Sequence, residues 1–97
     1  MKPMIYKYPV ELEDTQLIKI PYGGVILDIQ EQKKRFYMWV LFDARETYHG
    51  TLNMQNVRIN IMATGKERPL ELGYPGEHIA TIQDHNNFVW HFFRGTP

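Results

Sequence analysis

Two short stretches of this chain, residues 36–42 and 88–93, are apolar at almost every position, and no helical segment stands ready to cover them. In the first, Phe36, Met38, Val40 and Phe42 alternate with Tyr37, Trp39 and Leu41. The second reads Phe88-Val89-Trp90-His91-Phe92-Phe93. Successive strand residues point to opposite faces, so each stretch carries apolar groups on both sides. One thin sheet cannot bury both sides alone. The second side needs the same sheet curled into a barrel, or another subunit laid over it. This predicts a homo-oligomer, a dimer or higher, with Tyr37, Trp39, Leu41, Phe88, Trp90 and Phe92 as its interface residues.

The rest of the chain also runs on a period of two. Residues 5–8 form a short extended segment stopped by Pro9, and residues 11–14 a polar turn or a single helical turn. Residues 15–20 alternate weakly and end at Pro21, after which Gly23-Gly24 permits a tight turn. In residues 25–30, Val25, Leu27 and Ile29 are expected on one face and Ile26, Asp28 and Gln30 on the other. A charged turn at 31–35 joins this segment to 36–42 as a β-hairpin. Residues 43–55 read as loop, in part extended. Val57, Ile59, Ile61 and Ala63 mark a half-buried strand ended by Thr64-Gly65-Lys66. Residues 66–77, with Pro69, Gly73, Pro75 and Gly76, fit no regular element of length. Strands at 78–83 and 88–93 flank a turn at 84–87. The weak helical candidate at 43–53 is opposed by Gly50. The expectation is one mainly β domain over residues 1–97: a single small twisted antiparallel sheet or open barrel of five to six strands, with little helix.

Composition removes several classes of function. There is no cysteine and no serine, which excludes disulfides, thiolate metal sites and serine or cysteine nucleophiles. Eleven basic residues balance eleven acidic ones, in each half of the chain as well as overall. That balance argues against nucleic acid as the main partner. No apolar run approaches a membrane span, and no basic segment followed by an apolar one opens the chain. A cytoplasmic protein is expected.

No catalytic constellation is visible. His49, His78, His85 and His91 show no metal-ligand spacing, so no metal and no cofactor is expected. Asp28 marks the solvent side of its strand, serves as a general base near His78 or His91, or accepts from a ligand hydroxyl. An enzyme would use His91 as base, oriented by Asp28 or Asp84. Gly23-Gly24 precedes a strand and lacks a dinucleotide fingerprint, and Ala63-Thr64-Gly65-Lys66 lacks the rest of a P-loop. The Thr64–Lys66 turn can still hold an anion with its backbone N–H groups, Lys66 and Arg68. Lys33-Lys34-Arg35 beside Tyr37 and Trp39 pairs cations with aromatics as single-strand binders do, but also reads as a solvated hairpin tip.

Several segments carry a resemblance. They are Lys7-Tyr8-Pro9, Pro21 ahead of Gly24-Val25-Ile26-Leu27-Asp28-Ile29-Gln30, Trp39 with Leu41 and Asp43, Thr64-Gly65, Ile79-Ala80-Thr81-Ile82, and the closing tract from Phe88 to Phe93. Together they resemble a family of short uncharacterised proteins of tailed phages, prophages and bacteria. That family typically has His after Thr-Gly, where this chain has Lys66, and a shorter stretch between Asp43 and Val57. The resemblance implies a phage or prophage setting and a small β fold with no assigned activity.

Two functional readings follow. The first is a non-enzymatic, oligomeric β-module that binds a host or viral protein. The second is a protein that binds or sequesters a small phosphate-bearing nucleotide through Thr64, Gly65, Lys66 and Arg68, with Tyr74, Trp90 or His91 as a stacking wall. An enzyme ranks behind both.

Overall fold

A computed structural model describes residues 1–96. Nine strands lie among them: β1 (Pro3–Val10), β2 (Thr15–Pro21), β3 (Val25–Gln32), β4 (Arg35–Asp43), β5 (Thr47–Tyr48), β6 (Thr51–Leu52), β7 (Met54–Ala63), β8 (Glu77–Gln83) and β9 (Val89–Gly95). A single 3₁₀ turn, Leu70–Leu72, is the helical element among the described residues. The strands make two main antiparallel sheets and a ribbon. The first sheet has the order β1-β4-β3, the second β2-β7-β9-β8, and β5 pairs with β6.

The expected single sheet or open barrel is therefore corrected to two sheets packed face to face. Val10, Ile29, Phe36, Met38 and Val40 of the first sheet meet Ile20, Val57, Ile59, Ile61 and Phe92 of the second, all buried. Phe36 and Phe92 lie 5.4 Å apart between ring centres and join the layers. Cover for one apolar side of 36–42 and 88–93 thus comes from within the chain. The sandwich stays open along β3 and β8, which run close together without hydrogen bonding. Each has a register break there, between Ile26 and Asp28 in β3 and between His78 and Ala80 in β8. A bulged edge no longer offers a regular row of N–H and C=O groups, so neither strand extends the other's ladder.

The β3 bulge also overturns the expected facing. Leu27 is the extra residue, so the alternation changes phase at that point. Ile26 and Ile29 pack inward, whereas Val25, Leu27, Asp28 and Gln30 face outward or stay exposed. Other boundaries shift for local reasons. β1 continues through Pro9 to Val10, because an edge strand tolerates a residue without an N–H. Residues 43–55, expected as loop, contain the β5–β6 ribbon and the first residues of β7. The hairpins β3–β4 and β8–β9 form as read.

One polar device links the layers and a second seats residues 66–76 on the second sheet. Glu31 Oε2 of β3 accepts from the His85 amide at 3.3 Å and lies 3.1 Å from His85 Nδ1, linking the first sheet to the β8–β9 turn. Residues 66–76 fold back over the second sheet, where Arg68 donates to the carbonyls of Gly73, Asp14 and Leu72. Pro75 O accepts from the buried Asn60 Nδ2 at 2.6 Å.

Candidate functional site

The outward face of the first sheet is built from rows fixed by strand register. Ile5, Leu41 and Val25 form one row across β1, β4 and β3. Lys7, Trp39 and Asp28 form the next, and Pro9, Tyr37 and Gln30 the third. Ile5, Val25 and Leu27 are 53%, 55% and 48% exposed, and Tyr37, Trp39 and Leu41 are half-buried between them. These exposed apolar groups are gathered on one face of the sheet. The polar members sit beside Trp39. Lys7 Nζ lies 4.4 Å from the centre of the Tyr37 ring and donates to Gln32 Oε1 at 3.2 Å. Asp28 Oδ1 accepts from the Ile29 amide and Oδ2 from Gln30 Nε2, so this carboxylate caps the bulge on the solvent side.

A groove of about 500 Å³ lies on the outward face of the second sheet, lined by Met62, Ala63, Phe93 and His91 and walled by Thr64, Gly65, Lys66 and Glu67. Four side chains form a hydrogen-bonded relay at its edge. Thr64 Oγ1 is 2.7 Å from His91 Nε2, Thr81 Oγ1 is 3.0 Å from His91 Nδ1, and His78 Nε2 is 2.8 Å from Thr81 Oγ1. Strand pairing sets Thr81 opposite His91, and a neutral imidazole donates at one nitrogen and accepts at the other. In one tautomer of His91 the Thr64 hydroxyl accepts from Nε2 and keeps its own proton free for a ligand.

Thr64, Gly65, Lys66 and His91 therefore line one groove, and the other ligand candidates do not join them. The Arg68 guanidinium is occupied by three carbonyls. Tyr74 is 87% exposed and outside the groove wall. Trp90 pairs with Ala63 and packs toward the core, where its Nε1 donates to Asp84 Oδ2. Two of the turn amides are also occupied, Thr64 N by Val89 O and Lys66 N by Ala63 O. The interface set divides in the same way. Tyr37, Trp39 and Leu41 share the outward face of the first sheet. Phe92 is fully buried and Trp90 packs against the core, while Phe88, 61% exposed, sits beside the β8–β9 turn.

A family model for a domain of unknown function, DUF7352, matches residues 1–97. The chain belongs to the DUF7352 family. No curated protein and no solved structure matches it.

In this DUF7352 chain the catalytic reading finds no acid on His91, because both ring nitrogens face threonine hydroxyls. Asp28 is on the other sheet, and Asp84 is committed to its own turn. Asp84 Oδ1 accepts the amides of Asn86 and Phe88 while Oδ2 takes the Trp90 indole. The Trp90 hydrogen bond holds the Asp84 carboxyl below the usual carboxylate range, helped by those amides and opposed by burial. Glu31, Asp84 and His85 bring one donor atom each within 4.8 Å of one another, a spacing a metal could use. Sequence reading missed this trio because Glu31 is on β3 and His85 is in the β8–β9 turn, far apart in the chain. Their observed bonds clamp the turn: His85 holds Glu31 while Asp84 holds Trp90.

Proposed function

We propose that this protein is a non-enzymatic interaction module that self-associates through the outward face of its first sheet. The observation that carries the reading is the contiguous row of Ile5, Leu41 and Val25, with Leu27 and Trp39 beside it, left uncovered by any element among the described residues. The setting we propose is a phage or prophage, with the protein acting in the host cytoplasm on a host or viral protein. What supports that setting is the sequence resemblance, above all the Thr-Gly turn and the Phe-Val-Trp-His tract. The test is sedimentation from about 10 µM to about 1 mM, the range where weak homodimers dissociate. The expected mass rises above the 11.5 kDa of one chain, and Leu41→Glu abolishes the rise while the fold is kept. A wild-type mass that stays at one chain throughout overturns the reading.

A second reading is a small phosphate-bearing nucleotide held in the groove. It is supported by the convergence of Thr64, Gly65, Lys66 and His91 on one site, with Lys66 supplying the positive charge. A stoichiometric heat on nucleotide titration, lost in Lys66→Ala, carries it. No heat from any nucleotide ends it.

A further inference from the structure

The middle row of the first sheet is polar in an ordered way. Trp39 is the central residue of β4, with Lys7 beside it on β1 and Asp28 beside it on β3. Across the face the row therefore reads cation, indole, anion. The rows on either side carry no charge at all: Ile5, Leu41 and Val25 on one, Pro9, Tyr37 and Gln30 on the other.

That order selects a symmetry. A two-fold axis lying in the interface along β4 places β1 of one copy over β3 of the other, at the same height along the strands. Each Lys7 then faces the partner copy's Asp28, Trp39 meets Trp39, and Ile5 meets Val25 and Leu27. An axis at right angles to the strands instead stacks Lys7 on Lys7 and Asp28 on Asp28, two repulsive contacts at the centre of the interface. We propose that a second copy of this chain docks on the outward face of the first sheet about a two-fold axis parallel to β4, with reciprocal Lys7–Asp28 pairs flanking Trp39. This rests on the self-association reading and specifies its geometry.

The geometry is consistent with ordinary sheet packing. Faces pack about 10 Å apart and within about 30° of alignment. A rotation of that size moves a group one strand from the axis by only about 2–3 Å, so the central row tolerates it. Lys7 has to exchange its Gln32 contact for a carboxylate, a stronger acceptor for an ammonium. The same axis brings the two Lys33-Lys34-Arg35 tips to one end, where exposed charges about 10 Å apart are screened by salt. Three strands of about eight residues project roughly 350 Å² per copy, against about 800 Å² in a standard interface. The dimer is accordingly weak and reversible.

Charge exchange tests the axis. Lys7→Asp and Asp28→Lys are each expected to weaken self-association at least tenfold, since both make the paired groups alike. An equimolar mixture of the two variants restores association, because each chain then offers what the other lacks. The double variant in one chain restores it as well. Melting curves check that each variant folds, and should Asp28→Lys not fold, Lys7→Glu alone decides: its association is lost if the axis is right and unchanged if it is wrong. If Leu41→Glu abolishes association but the charge variants associate like the wild type, the axis is overturned and the face stands. A mixture that stays dissociated also overturns the axis. A wild-type chain that remains monomeric at the same concentrations leaves the face to another protein and overturns both.

Discussion

The indole Nε1 of Trp90 donates to Oδ2 of Asp84 at 2.9 Å, fastening β9 to the turn that precedes it. Asp84 also takes the amides of Asn86 and Phe88, so one carboxylate organises the whole 84–88 connection. Its folded pKa lies below the usual value because the Trp90 bond favours the charged form. A carboxyl depressed in this way adds stability that is complete above its unfolded pKa of about 4 and is lost as pH falls through the lower, folded value. Asp84→Asn should therefore melt below the wild type at neutral pH. The gap should stay level down to about pH 5 and narrow below about pH 4. Thermal melts across that range decide it, and a gap independent of pH would show that the charge contributes nothing.

The β3–β4 hairpin turns on Lys33 and Lys34, both in the left-handed region at φ 51° and 67°. Gln32 pairs with Arg35, so this is a two-residue loop of the kind that favours Asn-Gly. A side chain in that region costs roughly 1–2 kcal/mol, partly offset by the greater freedom glycine has when unfolded. Lys33→Asn with Lys34→Gly should raise stability by about 1 kcal/mol net, read from urea midpoints at constant slope. No change would mean that the lysines are held without strain.

The paired identity of residues 36–42 and 88–93 as two-sided strands was legible because alternation is a local property of sequence. What covers them was not, since the Phe36–Phe92 contact depends on long-range pairing that no local period encodes. Leu27 shows a second limit. A one-residue bulge reverses the facing of the residues around it and leaves the hydrophobic spelling unchanged. The groove was half legible: Thr64, Gly65 and Lys66 are neighbours in sequence, and His91 joins them through β7–β9 pairing. Arg68 and Trp90 looked equally suitable as residue types. Their side chains are spent on carbonyls and on Asp84, which only the fold reveals.

Phe92 and Phe88 separate core from surface within one tract. Phe92 is fully buried among residues of both sheets, so Phe92→Ala should cost about 3–5 kcal/mol, a large part of the stability of a small domain. Phe88 is mostly exposed, and Phe88→Ala should cost about 0.5 kcal/mol. Urea denaturation of the two variants checks the division. Equal losses would contradict the sandwich.

Gly76 and Gly65 both have positive φ, at 113° and 81°, but their surroundings differ. Around Gly65 there is open space, so Gly65→Ala carries only the conformational cost of about 1–2 kcal/mol. A methyl group on Gly76 would collide with the Arg94 carbonyl and the Gly95 backbone, neither of which can swing aside. The close approach is what lets Pro75 O reach Asn60 on β7. Gly76→Ala should therefore add the loss of that contact to the conformational cost and destabilise by about 3 kcal/mol or more. Asn60→Ala separates the two contributions, because it removes the Pro75 contact while leaving the backbone crossing intact, and should cost about 1–2 kcal/mol. If Gly76→Ala cost no more than Gly65→Ala, residues 66–76 would not be seated against β9 as described.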